Sequence, residues 1–363
     1  MSSSATTNPR IVTKSDIEAI TLEPTFDERL IMAMADGFRI SSLPSTVGGG
    51  FQSAPIQTLG AYPLEPFSVI QSMDDSAIYS AQTCIKSGYM VDGKYYVIKV
   101  ASGGNPFPNS GCMQIYSQVT GKLVAILMDD GILTELRTAA AGALAAKLFA
   151  PKHIRYVGIL GTGIQARYQL RFLKTVLDCR NILVYGRTPA HVETFVTECN
   201  QDGWIVQTVE SPDQLLQDCQ LIITTTSARE PILGSTYTLD DMNFKRDHEP
   251  IHITCIGADA PGKMELYPNL VKACDLLVAD SLVQTEQRGE FQHAIQQGLI
   301  QIKDIMEIGQ FIKDPKQPDD EKNTKILDHT HKLSIFDSSG MAVQDYMIAS
   351  MVLDSLSHNS SRE

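Results

Sequence analysis

The sequence predicts an α/β protein in which a doubly wound parallel sheet is inserted into a discontinuous α+β domain. Three observations predict it. From about Arg155 to Ile312, short and continuously apolar runs alternate with helical segments, the pattern of parallel strands joined by crossover helices. Ahead of that region, from Ile11 to about Asp130, the pattern is mixed, with a helix over Thr25–Ala35 and then short strands and turns. Behind it, Lys332–Phe336 reads as a strand and Gly340–Leu356 as a helix. These are too little for a domain, so the tail is expected to pack back on the N-terminal region. The expected division is 11–130 with 326–363 as the discontinuous domain, 131–149 as a connecting helix, and 150–325 as the parallel-sheet domain.

The parallel strands are expected at Tyr156–Leu160, Ile182–Tyr185, Leu221–Thr225, Ile251–Ile256 and Leu276–Ala279. Each run is rich in β-branched residues and lacks polar alternation, as when both faces of a sheet are covered. The connecting helix, Gly131–Phe149, carries apolar residues at Ile132, Leu136, Ala140, Leu144 and Leu148 and many alanines, the marks of a buried helix. Asp130 is its expected N-cap and Pro151 falls just past its end. Lys313–Lys325, polar and with two prolines, reads as an exposed loop.

Composition narrows the function. A chain of 363 residues, 43% hydrophobic and 20% charged, has room for two domains with sizeable cores. A formal charge of −12 argues against general affinity for nucleic acid or anionic membranes. No apolar run is long enough to span a bilayer, and the first ten residues lack the apolar core of a secretory signal. The seven cysteines are scattered, with no Cys-x-x-Cys pair, so a reduced, cytoplasmic compartment is expected. His329 and His331 lack further ligands nearby, and no metal is expected.

Gly161-Thr162-Gly163-Ile164-Gln165-Ala166 follows the first parallel strand and opens an amphipathic helix over Gln165–Val176. In that context the glycine pattern reads as a Rossmann-type dinucleotide loop. Gly161 permits the tight turn, Gly163 lets backbone approach the pyrophosphate, and Ala166 allows close helix–strand packing. The next strand ends in Val184-Tyr185-Gly186-Arg187-Thr188. The acidic residue that holds an NAD ribose is missing: Gly186 takes its place and Arg187 follows. A guanidinium there suits a 2′-phosphate, so NADP is expected over NAD, with Arg187 and Thr188 as contacts. A solvated arginine at a strand end is the alternative.

Asp92-Gly93 lies between Ala81–Val91 and Lys94–Ala101, a two-residue hairpin signal. With that turn, Lys86 faces Lys99 directly on one side of the sheet. Like charges facing each other are destabilising unless an anion sits between them or one amine has a depressed pKa. Two solvated lysines splaying apart are the other reading.

Taken together, the sequence resembles the ornithine cyclodeaminase/μ-crystallin family across nearly its whole length. The matching segments are Tyr96–Val100, the Leu-Thr-x-x-Arg-Thr-Ala-Ala run Leu133–Ala140, the glycine loop, Ile256–Leu266 and Phe336–Ala342. The resemblance implies a homodimer whose discontinuous domain serves substrate binding and dimerisation around a Rossmann domain. It also implies chemistry at the Cα–N bond of a small amino or imino acid carrying a carboxylate. Carried onto this sequence, Arg137 would hold that carboxylate, Lys99 would sit beside the amine or carboxylate, and Lys86 would support the charge field. Asp259 would be the general acid/base, and Thr138 and Ser339 would contact cofactor or substrate. Many family members carry an arginine near Ala54–Gly60, where this chain offers Gln57, which donates hydrogen bonds without charge.

The leading expectation is an NAD(P)H-dependent imine or ketimine reductase, equivalently an amino-acid dehydrogenase. The alternatives are an ornithine cyclodeaminase-type ammonia lyase with catalytic NAD, and a non-catalytic NADPH-binding protein of the μ-crystallin kind.

Overall fold

The computed structural model describes residues 8–43, 50–61, 81–104, 107–235, 249–313 and 331–359. Two compact units emerge. The first lies within Met1–Ala33, Leu43–Arg137 and Met341–Glu363, and the second within Met34–Ser42 and Thr138–Gly340. Among the described residues the helices of eight residues or more are α1 (Lys14–Thr21), α2 (Phe26–Ser41), α3 (Ile132–Phe149), α4 (Ile164–Leu173), α5 (Pro189–Gln201) and α6 (Ala342–Asn359). The thirteenth-residue hydroxyl starts the first of these: Thr13 accepts from the Asp16 amide and Asp16 returns a bond to the Thr13 amide, a capping box.

The first unit is built on a seven-stranded sheet of β1 (Arg10–Val12), β2 (Phe51–Ser53), β3 (Gln57–Ala61), β4 (Ala81–Met90), β5 (Tyr95–Gly104), β6 (Phe107–Ser117) and β7 (Leu123–Leu127). Their order is β1-β7-β6-β5-β4-β2, with β3 also pairing β4. All pairings are antiparallel except β1 with β7. The Asp92-Gly93 turn, with Asp92 at φ 61°, sets the β4–β5 register and places Lys86 opposite Lys99. Alternation then decides burial: Val97, Met113, Ile115, Ala125 and Leu127 are buried, and α6 packs across β4 and β5. Tyr346 of α6 meets Phe51 edge-on at 5.9 Å.

The second unit is an eight-stranded, wholly parallel sheet of β8 (Val157–Leu160), β9 (Asn181–Tyr185), β10 (Ile205–Thr208), β11 (Leu221–Thr224), β12 (Ile251–Cys255), β13 (Leu276–Ala279), β14 (Ile305–Glu307) and β15 (Leu333–Asp337). Its order, β10-β9-β8-β11-β12-β15-β13-β14, reverses direction beside β8, as in a doubly wound fold. Successive residues of each strand feed opposite cores. Val157, Ile159, Ile182, Val184, Leu221 and Ile223 share one, while Leu160, Leu183, Ile222, Ile253 and Ile335 share the other. Two covered faces explain why the strands lack polar alternation.

Some expectations shift. The strand expected at Lys332–Phe336, with the tail in the first domain, is β15 (Leu333–Asp337) of the second unit, hydrogen-bonded between β12 and β13. The helix expected at Thr25–Ala35 continues to Ser41, because Met34 and Phe38 keep supplying a buried face. Asp130 is not the cap of α3. It adopts φ 51° and is exposed, and this turn carries the carboxylate of Asp129 to the Leu133 amide at 3.1 Å. Most of the loop expected at Lys313–Lys325, and His329, lie outside the described residues.

Candidate active site

In the first unit, strand alternation and one helix bring charge into a buried place. Lys86 and Lys99 face each other across β4 and β5, and Arg137 projects from α3; all three are buried. Asp345 on α6 meets two of them: its Oδ1 accepts from Arg137 Nε at 3.0 Å and lies 3.3 Å from Lys99 Nζ. Gln344 Oε1 accepts from Arg137 Nη1 at 3.2 Å and from the Met341 amide at 2.6 Å. Burial, with the positive charges of Lys99 and Arg137, pulls Lys86 down to about 7. Burial lowers Lys99 as well, and Asp345 opposes that shift. Burial lifts Asp129 to about 6, with the Leu133 amide and Lys99 opposing the shift and Asp345 adding to it.

Three buried polar atoms of this cluster have no partner among the described residues: Asp345 Oδ2, Asp129 Oδ1 and Gln344 Nε2. A buried polar atom left unbonded costs about 1–3 kcal/mol, so these three gain from a polar partner, whether water or ligand. Two of these three want donors and one wants an acceptor, beside three cations facing two carboxylates. A small molecule bearing both an N–H donor and a carboxylate satisfies that set.

Gln57 lies exposed on β3 with Ile85 as its register partner. The buried charge beside Lys99 is Lys86 rather than a residue of the Ala54–Gly60 segment. Asp345, Gln344 and Asp129 escaped the sequence reading. The available signal was a Gln-Asp pair on an otherwise apolar helix, and the first of two adjacent aspartates.

In the second unit the glycine turn has the form that a dinucleotide needs. Gly161 sits at φ 102°, and its amide donates to the Tyr185 carbonyl at 2.9 Å. Gly163 is the N-cap of α4, which has no side-chain cap and no acid in its first turn. A Cβ on Gly163 would meet nothing within 4 Å, so backbone there is open to approach. Ala166 is fully buried against the sheet. The start of this helix, without a side-chain cap and with Gly163 and Ile164 exposed, fits a pyrophosphate. Arg167 braces the turn by donating to the carbonyls of Thr162 and Gly163 at 2.7 and 3.1 Å. Gln165 accepts from Gln169, which also donates to the Thr138 carbonyl at 3.3 Å.

At the end of β9 the missing acid has a steric cause. A Cβ on Gly186 would lie 2.7 Å from Val192 Cγ2 and 3.0 Å from Thr162 Cγ2. Arg187 is exposed beside it, and Thr188 is the N-cap of α5, again without a side-chain cap or an acid in the first turn.

Asp259 follows β12, with its Oδ1 accepting from Lys263 Nζ at 2.6 Å; its side chain is 58% exposed and therefore in reach of solvent protons. Ser339 is buried, and its hydroxyl is engaged by Asp280 Oδ1 at 3.0 Å and Gln284 Oε1 at 3.1 Å. Among the described residues no group of His, Cys, Asp and Glu side chains could hold a metal ion.

The doubly wound sheet with an uncapped glycine turn defines a Rossmann-type dinucleotide-fold protein, whose first unit carries a buried cationic cluster. The family model for ornithine cyclodeaminase/mu-crystallin matches residues 94–360, and the chain belongs to that family. It is 33% identical to alanine dehydrogenase of Archaeoglobus fulgidus over 67% of this chain and 69% of that one. It is 28% identical to iminosuccinate reductase of Paracoccus denitrificans over 75% and 81% of the two chains. Among solved structures, the NAD-bound archaeal alanine dehydrogenase dimer matches with a TM-score of 0.74 at 26% identity, covering 97% of each chain.

Proposed function

We propose that this chain is an NAD(P)H-dependent oxidoreductase that reduces the C=N bond of a small 2-imino acid, equivalently an amino-acid dehydrogenase in the opposite direction. The observation that carries the reading is the buried cluster of Lys86, Lys99 and Arg137 with its unbonded atoms on Asp345, Asp129 and Gln344. Arg137 and Lys86 hold the substrate carboxylate, and Arg137 is kept in orientation by Asp345 and Gln344. Lys99 stands beside the nitrogen or the carboxylate. When bound, the reduced nicotinamide supplies the hydride that Cα receives.

The nitrogen gains one proton as the C=N π bond is lost. Asp259 is proposed to relay that proton from solvent, being 58% exposed and held in place by Lys263. In the reverse direction the same carboxylate takes the proton back. Gln57 has no role in this scheme. Thr138, Gln165 and Ser339 support the cofactor side through the bonds described above.

NADP is the proposed cofactor. Arg187, Thr188 and the uncapped start of α5 present positive potential where an NAD-selective protein places a carboxylate. A homodimer is proposed as well. On the sheet of the first unit, the face opposite Lys86 and Lys99 carries half-exposed Ile98, Val100, Val124 and Ile126 and a stacked Tyr96–Tyr116 pair at 4.8 Å, with Met128 49% exposed. A second copy of this face would cover it. The proposed compartment is the cytoplasm, where seven unpaired thiols persist.

The test is NAD(P)H oxidation by purified protein with 2-oxo acids plus ammonia or methylamine, and with cyclic ketimines carrying a carboxylate. Turnover with any of them, lost in Arg137→Ala, supports the proposal. No oxidation across the panel sinks it.

A further inference from the structure

Four of the buried carboxylates in the second unit stand together: Glu265, Glu290, Asp337 and Asp280. They gather at the carboxyl ends of β11, β12, β15 and β13 and accept mostly from loop amides, with hydroxyls of Thr224, Ser338 and Ser339 as further donors. Glu265 is the node. Its Oε2 accepts from Thr224 Oγ1 at 2.6 Å and from the Gly257 amide at 3.0 Å, while Oε1 accepts from the Thr226 amide at 2.6 Å. The backbone of Glu265 is held in turn: Glu290 accepts from the amides of Glu265 and Leu266 at 3.0 and 2.7 Å. Asp337 then accepts from the Glu290 amide at 2.8 Å.

One carboxylate therefore ties together the chain leaving β11 and the chain leaving β12. The fit is close enough that a Cβ on Gly257 would overlap both the Thr226 carbonyl and the Glu265 carboxylate. In a doubly wound sheet the dinucleotide straddles the point where strand order reverses, with its adenine ribose toward the second strand. Here the reversal lies between β9-β8 and β11-β12, with Gly186 and Arg187 at the β9 end. The nicotinamide half accordingly belongs to the β11 and β12 ends, which are the two that Glu265 joins.

We infer that Glu265 is the positioning residue for the nicotinamide half of the cofactor, fixing Thr224–Thr226 and Ile256–Gly257 as a platform without touching the cofactor itself. The inference rests on the dinucleotide reading above. A carboxylate suits the task because it accepts three donors at once; an amide of the same shape offers one oxygen and turns a second donor toward the loop amides.

The experiment compares two ligands in the full chain by calorimetry: NADPH, and 2′-phospho-ADP-ribose, which lacks nicotinamide. For Glu265→Gln, NADPH affinity should fall about tenfold or more, while 2′-phospho-ADP-ribose affinity stays within about twofold. Thr224→Val, which removes one donor and keeps the carboxylate, should give the same split at roughly threefold, and it decides the matter if Glu265→Gln does not fold. A merely structural role would weaken both ligands alike. Equal losses for the two ligands, or no loss for either, overturns the inference. If the unmutated protein binds neither of these nor NADH, the dinucleotide reading itself fails, an outcome distinct from an equal loss in the variants; if it binds NADH alone, the same comparison is made with NADH and ADP-ribose.

Discussion

Arg137 and Asp345 form a buried hydrogen-bonded ion pair of 3.0 Å across 208 positions of sequence. The same Asp345 oxygen lies within ion-pair distance of Lys99, so one carboxylate offsets two of the three buried cations. Replacing Asp345 by Asn leaves those cations without their counter-charge in a dry setting. The expected cost is about 3 kcal/mol of stability. Urea unfolding of the variant would read it. A loss under about 1 kcal/mol would mean that water already screens the cluster.

Asp259→Asn keeps shape and removes the proton carrier. The expected result is a fall in kcat of roughly a hundredfold or more. NADPH affinity should stay within about twofold, because the carboxylate takes no part in holding the dinucleotide. Steady-state kinetics beside fluorescence titration separates the two effects. An unchanged kcat would remove Asp259 from the proposed role.

Arg187→Ala tests cofactor choice. It should weaken NADPH binding about tenfold, the scale of one charge-assisted contact to phosphate. NADH binding should not change. Equal effects on both cofactors would return Arg187 to an ordinary surface role.

Stability should fall as pH rises from about 5 to about 7. Burial lifts Asp129 to about 6, Glu265 to about 7 and Asp337 to about 8, and it raises Glu290 also. The folded chain therefore keeps protons that the unfolded chain releases near the ordinary values of 3.8 and 4.5. Where the native state binds more protons, unfolding free energy declines with pH. The contribution is complete below the unfolded values and disappears as pH passes the folded ones. Lys86 acts oppositely, being held at about 7 against 10.5 in the open chain, and its effect begins only above pH 7. Thermal midpoints at constant ionic strength should drop by roughly 5 °C between pH 5 and 7. A midpoint that rises across that window contradicts the assignment.

Much of this was legible in sequence, for physical reasons that differ by element. The run Leu276–Ala279 coincides with β13 because a fully buried strand needs no alternation to announce itself. The Lys86–Lys99 pairing follows from the Asp92-Gly93 turn, since turn length fixes register. The sheet to which Leu333–Asp337 belongs could not be read locally, because strand partnership is decided by distant chain. Asp129 and Asp130 look alike in sequence, and only the left-handed backbone of Asp130 selects the first as the cap. Asp345 and Gln344 are polar residues on an apolar helix, and their meaning rests on a partner far away in the chain.

The distance between Arg137 and Asp345 also has a consequence for synthesis. At about 5–20 residues per second, a ribosome making the chain needs on the order of tens of seconds to extend it from one to the other. Throughout that time Lys86, Lys99 and Arg137 exist without the carboxylate that joins two of them in the finished protein. The first unit combines segments that precede Thr138 with α6, Ala342–Asn359. Its strands β1–β7 all precede Arg137, but α6 follows only after Thr138–Gly340 has been translated, and a chain released before Asp345 leaves the three cations without that carboxylate.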